Sequence, residues 1–184
     1  MKTCLAGLLW FSMTSTATTA LAQDMRNTSF TGPAGERVLR FEAVVDADVK
    51  RVWSAITTTA GLATWFSPQA VVEFRTGGAV TARDAASARI GDSGVARLDI
   101  SAYRELEMIT FHIDLDDTFS ETIREQDDDL RAVVELMPKV GNRTTITLSL
   151  LGWGKGRIWD DAYAFFAKRM ENACVRLMNT LSNR

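Results

Sequence analysis

The sequence predicts an α+β fold in which an antiparallel sheet of six or seven strands packs against one long C-terminal helix. Three observations predict it. Apolar residues alternate with polar ones in several short segments, which is the period of a half-buried strand. Turns that contain glycine join neighbouring segments into hairpins. Residues 157–181 instead carry apolar side chains three and four positions apart, which is the period of an amphipathic helix.

The first 22 residues have the three-part organisation of a secretory signal peptide. Lys2 precedes an apolar run from Leu5 to Phe11, and Ala20-Leu21-Ala22 matches an A-x-A cleavage site. The apolar run is too short to cross a bilayer, which takes roughly 20 residues. We therefore expect an exported protein, periplasmic or secreted, whose mature chain starts at Gln23 and has no stable membrane anchor.

The mature chain has the size and charge of one slightly acidic domain. Cleavage would leave 162 of the 184 residues, a length that buries about two thirds of its surface. Residues 23–35 are polar and predict a flexible leader, so the domain is expected to span residues 36–184. The formal net charge is −2 and becomes −3 when Lys2 is removed, which excludes a general attraction to nucleic acid. Cys174 would be the one remaining cysteine, so no intramolecular disulfide is expected.

The domain is predicted to begin with a strand and two short helices. Residues 38–45 alternate in polarity as a strand does. Asp48 can cap a following helix, and a second helical segment from Gly61 to Phe66 is ended by Pro68. The apolar residues of the first helix share one face: Val49, Val52, Trp53 and Ile56.

The middle of the chain is predicted to form antiparallel strands. Residues 70–75 and 79–83 form a hairpin across Gly77-Gly78, because glycine allows the positive φ of a tight turn. The other predicted strands are residues 94–102, 107–114, 130–137 and 143–151. Charged side chains fall out of phase with the apolar ones, which indicates a solvated face and an apolar inward face. The inward face is predicted to carry Phe41, Phe74, Leu98, Ile100, Phe111, Ile113, Val134, Leu136, Ile146 and Leu148.

Four short motifs occur in a characteristic order along the chain. They are VWSAIT at residues 52–57, GLATWF at 61–66, FRTGG at 74–78, and GWG followed by WDDAYAFF at 152–166. In this order they resemble the SRPBCC superfamily of START, birch-pollen-allergen and polyketide cyclase-like proteins. Within it the chain is most similar to the AHSA-type branch, named after the activator of the heat-shock-protein-90 ATPase.

The resemblance implies a helix-grip fold, in which a curved antiparallel sheet holds the C-terminal helix. In many members a cavity between sheet and helix holds a lipid, a polyketide or another apolar molecule. An exported chain would not meet a cytosolic chaperone, so the role that the branch name suggests is not expected here.

Aromatic residues are the candidate ligand-binding residues. A stripe of rings at helical spacing is typical of a solid core, whereas the resemblance implies that the same rings line a pocket. In the second interpretation the Tyr163 hydroxyl and a tryptophan N–H would orient a ligand with one polar end. The predicted ligand-binding residues are Trp65, Phe66, Phe74, Phe111, Trp153, Trp159, Tyr163, Phe166 and Met170.

No cofactor, metal or catalytic residue is expected. His112 is the single histidine, and its strand position places it on the solvated face, away from a cleft. Cys174 lies on the apolar stripe of the last helix and is predicted to be an inert core thiol. The acidic segment lacks the glycine and glutamate spacing of an EF-hand loop and is predicted to be solvated: Asp114, Asp116, Asp117, Asp127, Asp128 and Asp129.

Three functions fit these features. The leading hypothesis is an exported protein that binds or carries a small hydrophobic molecule between its sheet and its long helix. A cyclase- or hydrolase-like enzyme of the same fold is the first alternative, with Tyr163 or Glu121 acting in a partly desolvated pocket. The second alternative is a periplasmic interaction module that binds another protein through residues 114–129. The sequence predicts neither the ligand nor the oligomeric state.

Overall fold

The computed structural model describes residues 25–83, 95–115, 119–127 and 129–182. The predicted signal peptide, residues 1–22, lies outside these ranges. In chain order the elements are β1 (Met25–Asn27), β2 (Phe30–Thr31), β3 (Arg37–Val45), α1 (Val49–Thr57), α2 (Thr59–Trp65), β4 (Val71–Val72), β5 (Ala79–Arg83), β6 (Val95–Arg104), β7 (Met108–Asp114), α3 (Glu121–Glu125), β8 (Arg131–Lys139), β9 (Arg143–Leu151) and α4 (Arg157–Ser182).

The described strands form one antiparallel sheet of nine, in the order β1-β3-β9-β8-β7-β6-β5-β4, with β2 also paired to β3. The predicted α+β fold with a long C-terminal helix is confirmed. All seven predicted strands are present, although β4 is shorter than residues 70–75. The sheet is larger than predicted because β1 and β2 come from residues 23–35.

Part of the predicted flexible leader is therefore ordered against the sheet. β3 would otherwise be an edge strand, and its free backbone groups accept a partner. The Thr28 amide donates to the Arg40 carbonyl at 2.9 Å, and the Arg40 amide donates to the Ser29 hydroxyl at 2.9 Å. These bonds join residues that are distant in sequence, so the polar composition of the segment gives no sign of them.

Two side-chain caps fix the helices that follow β3. The Asp48 carboxylate accepts from the Arg51 amide at 2.9 Å and begins α1 as predicted. The Thr58 hydroxyl accepts from the Gly61 amide at 2.9 Å and begins α2, which starts earlier than predicted. A Cβ at Gly61 would overlap the Ser54 carbonyl oxygen, so glycine permits the close approach of the two helices.

Helix α4 lies across the concave face of the sheet and is held at both ends. At its N-terminal end Asp160 pairs with Arg37 of β3 at 2.7 Å. At its C-terminal end the Arg176 guanidinium donates to the Trp65 carbonyl at 2.7 Å, which ties the helix to α2. Within the described ranges no helix is both long and apolar enough to span a membrane.

The bend between β9 and α4 depends on glycine. Gly152 and Gly156 have φ angles of +91° and +98°, a region that side chains rarely adopt. A Cβ at Gly152 would also overlap the Asp129 carbonyl oxygen, whereas a Cβ at Gly156 would meet no atom within 4 Å. The position of α4 relative to the sheet is thus set partly at Gly152.

Gly152→Ala is expected to destabilise the protein more than Gly156→Ala. Gly156→Ala incurs only the cost of placing a side chain on a left-handed backbone, about 1–2 kcal/mol. Gly152→Ala adds steric overlap with a backbone atom that cannot easily move, for a total of about 3 kcal/mol. Urea unfolding of both variants measures the difference, and equal midpoints would show that Gly152 is not closely packed against Asp129.

Candidate functional site

The inward stripe of α4 is not evenly covered. Trp159 and Met170 are 1% and 5% exposed, but Tyr163 and Phe166, which lie between them on the same stripe, are only half-buried. A helix lying on a solid core would have all four side chains covered alike. Further along the same stripe, Leu177 is buried. The inward stripe of α4 is therefore incompletely covered at Tyr163 and Phe166, in its N-terminal half, and covered at Leu177.

The centre of the sheet shows the same opening. Val134 of β8 and Leu148 of β9 are paired across the sheet and point inward, yet both are half-buried. Their neighbours in the same row, Phe41 and Ile109, are 4% and 1% exposed. An inward side chain at the centre of a sheet is reached by solvent only when there is room in front of it. From these half-buried side chains we infer a space between the sheet and α4, bordered by Val134, Leu148, Tyr163 and Phe166, and we call it the trough.

Aromatic rings gather at the α4 side of the trough. Trp153 contacts Tyr163 and Phe166 at centroid distances of 4.9 and 5.8 Å. Phe119 stacks on Phe166 with an interplanar angle of 6° and a centroid distance of 5.6 Å, and it meets Phe165 edge-on. We call these five residues the ring cluster. Such contacts add stabilisation beyond the area that they bury.

The indole nitrogens of the candidate site are already occupied. Trp65 donates to the Ala55 carbonyl at 2.9 Å, and Trp153 donates to the Leu150 carbonyl at 3.1 Å. Trp159 donates to the Gln126 side-chain oxygen at 3.2 Å. The expectation that a tryptophan N–H would orient a ligand therefore does not fit this structure, since each of these donors would first have to lose a partner.

The Tyr163 hydroxyl is the remaining polar group of the ring cluster. No hydrogen bond joins its hydroxyl to any residue that the structure describes. The Arg37 guanidinium lies 4.9 Å from its ring centroid, a cation–π distance. Because Arg37 is itself paired with Asp160, its charge is balanced within the protein.

The nine predicted ligand-binding residues fall into separate places. Trp153, Tyr163 and Phe166 meet in the ring cluster. Trp159, Met170 and Phe111 are buried in the core.

The other three are packed elsewhere. Trp65 and Phe66 contact each other beside the C-terminal half of α4. Phe74 contacts Trp53 and Tyr103 at 5.6 and 4.8 Å, in a second aromatic group.

Two trough residues were predicted to face inward but not to contact a ligand, namely Val134 and Leu148. Phe119 and Phe165 of the ring cluster were not among the predicted ligand-binding residues. Phe119 lies in the acidic segment, where its ring is the one signal that could have drawn attention to it.

Residues 119–126, which include α3, lie against one side of α4. Helix α3 buries Ile123 completely, and its N-terminal neighbour Phe119 reaches the ring cluster. Glu121 is exposed on α3, so it does not line the trough as the enzymatic alternative requires. Asp116, Asp117 and Asp128 of the predicted acidic cluster lie outside the described residues.

The remaining chemical candidates are remote from the trough. Burial raises the pKa of the Cys174 thiol to about 11, so the thiol is protonated at neutral pH. His112 is half-buried on the outward face of β7, as its alternation with Phe111 predicted. In the part of the chain that the structure describes, no group of three or more His, Cys, Asp or Glu side chains is arranged to hold a metal ion.

A long helix across the concave face of an antiparallel sheet defines a helix-grip protein of the SRPBCC superfamily. Residues 46–181 match the family model described as activator of Hsp90 ATPase homolog 1-like protein. The chain belongs to that family.

Solved structures support the same fold. CalU16 from Micromonospora echinospora matches with a TM-score of 0.61 and 21% identity, covering 88% of this chain and 76% of that protein. The Aha1 dimer from Colwellia psychrerythraea matches with a TM-score of 0.62 and 14% identity, covering 79% and 96%. EF2215 from Enterococcus faecalis, a conserved protein of unknown function, matches with a TM-score of 0.59 and 14% identity, covering 86% and 78%. At these identities the likeness concerns the fold alone. No curated protein sequence matches the chain.

Proposed function

We propose that this chain is an exported protein that binds or carries a small, uncharged hydrophobic molecule in the trough. The observation that carries the proposal is the half-buried pair Val134 and Leu148 at the centre of the inward face. Apolar side chains that are exposed within a concave space gain stability when an apolar guest displaces the water. The signal-like residues 1–22 support export.

The chemistry of the walls limits the guest. Val134, Leu148 and Phe166 offer apolar contact, and Arg37 at the β3 end is already neutralised by Asp160. A charged guest would lose its hydration without gaining an unpaired partner from these groups, which is costly. The Tyr163 hydroxyl can make one hydrogen bond. We therefore infer a guest that is uncharged and has a single hydrogen-bonding group facing Tyr163.

Native mass spectrometry of gently purified protein, followed by organic extraction, tests the proposal. A co-purifying small molecule that is released by solvent, is uncharged and is rich in carbon is the expected result. Repeated purification of ligand-free protein that also fails to bind uncharged apolar probes would contradict it. Protein expressed with its own residues 1–22 and recovered from the periplasm at the mass of a chain starting at Gln23 would support export, whereas retention of Met1 would contradict it.

Tyr163→Phe is expected to weaken the binding of 1-naphthol about five-fold while leaving the binding of naphthalene unchanged. The substitution removes one hydrogen-bonding group and keeps the ring, and one such bond contributes about 1 kcal/mol. Fluorescence titration of both probes measures the two affinities. Tyr103→Phe is the matched control, because Tyr103 belongs to the second aromatic group. Equal effects of the two substitutions would contradict a specific role for Tyr163.

A further inference from the structure

An open groove lies between α3 and α4, apart from the residues that border the trough, with a volume of about 320 Å³. This is at the lower end of the range for small-molecule sites, roughly 300–1,000 Å³. Its apolar walls come from Phe119, Ile123, Ile158 and Phe165. The Phe119 and Phe165 rings meet at an interplanar angle of 88° with centroids 5.5 Å apart.

The groove has two polar groups, Asp161 and Ser120. Asp161 is exposed at the rim, and it forms no ion pair with any described residue, in contrast to the neighbouring Asp160 that pairs with Arg37. Ser120 occupies the N-cap position of α3, but its side chain makes no capping hydrogen bond. The groove thus has a carboxylate without an ion-pair partner among the described residues and a hydroxyl that is not used for capping.

We propose that this groove binds a small hydrophobic ammonium compound, with the ammonium group at Asp161 and the apolar body against Phe119, Ile123 and Phe165. Charge complementarity selects the cation, because the carboxylate of Asp161 would repel an anion and would gain only a hydrogen bond, without an ion pair, from a neutral donor. The phenylalanine faces add attraction for a cation. Arg169 already occupies one such position, since its guanidinium lies 5.4 Å from the Phe165 centroid.

The site differs from the trough in the ligand that it selects. The trough has balanced charge and takes an uncharged guest in our proposal, whereas the groove has an acidic rim. The two sites are separated by the stacked rings of Phe119 and Phe166. Substitutions on the inward face of the sheet therefore distinguish binding at one site from binding at the other.

NMR titration of the whole chain with phenethylammonium and with its neutral analogue 2-phenylethanol, at low ionic strength, tests the inference. We expect the ammonium compound to bind at least about five-fold more tightly. Asp161→Asn should remove this preference, and the matched variant Glu171→Gln, which removes one negative charge from an exposed position elsewhere on α4, should keep it.

Three results would overturn the inference. The first is equal affinity for the two compounds, and the second is an equal loss in Asp161→Asn and Glu171→Gln, which would indicate an effect of net charge alone. The third is loss of ammonium binding in Val134→Phe, which would place the cation in the trough. Retained binding in Val134→Phe, with chemical-shift changes at Ile123 and Ile158, would support the groove.

Discussion

Val134→Phe is expected to weaken the binding of an uncharged apolar probe at least about ten-fold while leaving the protein folded. The Val134 side chain points inward at the centre of the sheet and is half-buried, so a larger side chain extends into the trough rather than into packed atoms. Filling the space removes the volume that a guest would occupy. We expect the affinity for N-phenyl-1-naphthylamine, measured by fluorescence titration, to fall at least about ten-fold, equivalent to about 1.4 kcal/mol.

Val133→Phe is the matched control for this substitution. Val133 lies next to Val134 on β8 and pairs with Ser149 on the outward face of the sheet. The same change in volume at Val133 therefore leaves the trough unchanged, and probe affinity should stay within about two-fold. Similar losses in both variants would show that the effect comes from general disturbance of β8. Unchanged affinity in Val134→Phe would show that the probe binds elsewhere.

Trp159→Ala is expected to lower the free energy of unfolding by about 3–5 kcal/mol, because a large buried ring is replaced by a cavity. Among the residues that the structure describes, Trp159 is the largest fully buried side chain. Its N–H donates to Gln126, and its indole lies where a Cβ at Gly154 would be. The ring thus joins the start of α4, the segment after α3 and the glycine-containing bend. Urea unfolding monitored by circular dichroism measures the change.

Phe165→Ala is the control on the same helix. Phe165 is 45% exposed, and its truncation removes ring contacts at the surface, for a loss of no more than about 1 kcal/mol. A loss in Trp159→Ala as small as that in Phe165→Ala would mean that the N-terminal end of α4 is not anchored in the core. The ring cluster would then have no fixed position over the sheet.

Local patterns were sufficient to predict most of the fold. The alternation of β3 and β7, the Asp48 cap of α1 and the three-and-four spacing of α4 are properties of neighbouring residues, and each is found in the structure. β1 and β2 were not predicted, because their order comes from backbone hydrogen bonds to β3 across the sheet. A polar segment with no apolar period gives no local sign of such pairing.

The candidate site was less predictable than the fold. Helical spacing places Trp159, Tyr163, Phe166 and Met170 on one stripe, but it does not show which of them the sheet covers. That depends on how closely the sheet approaches each part of α4, and therefore on the bend at Gly152 and on the curvature of the sheet. The same reasoning applies to Val134 and Leu148, whose inward direction was predicted from alternation while the open space in front of them was not.

The resemblance implied one pocket wall made of aromatic residues that lie in separate places in the structure. Trp65 ends α2 and Phe66 follows it beside the C-terminal half of α4, whereas Trp153 follows β9 at the other end of the helix. Phe119, which lies just before α3, contacts Phe166 instead. Contacts of this kind depend on how a connecting segment folds back, which residue spacing does not determine.

Methyl-resolved NMR during titration with N-phenyl-1-naphthylamine tests the central claim most directly, because it reports on the trough and on the packed half of the core at once. We predict large shifts and intermolecular NOEs at the methyl groups of Val134 and Leu148, with those of Met178 and Leu181 unchanged. Saturable binding that leaves Val134 and Leu148 unperturbed, or perturbs all four residues alike, would contradict an open trough beneath the N-terminal half of α4.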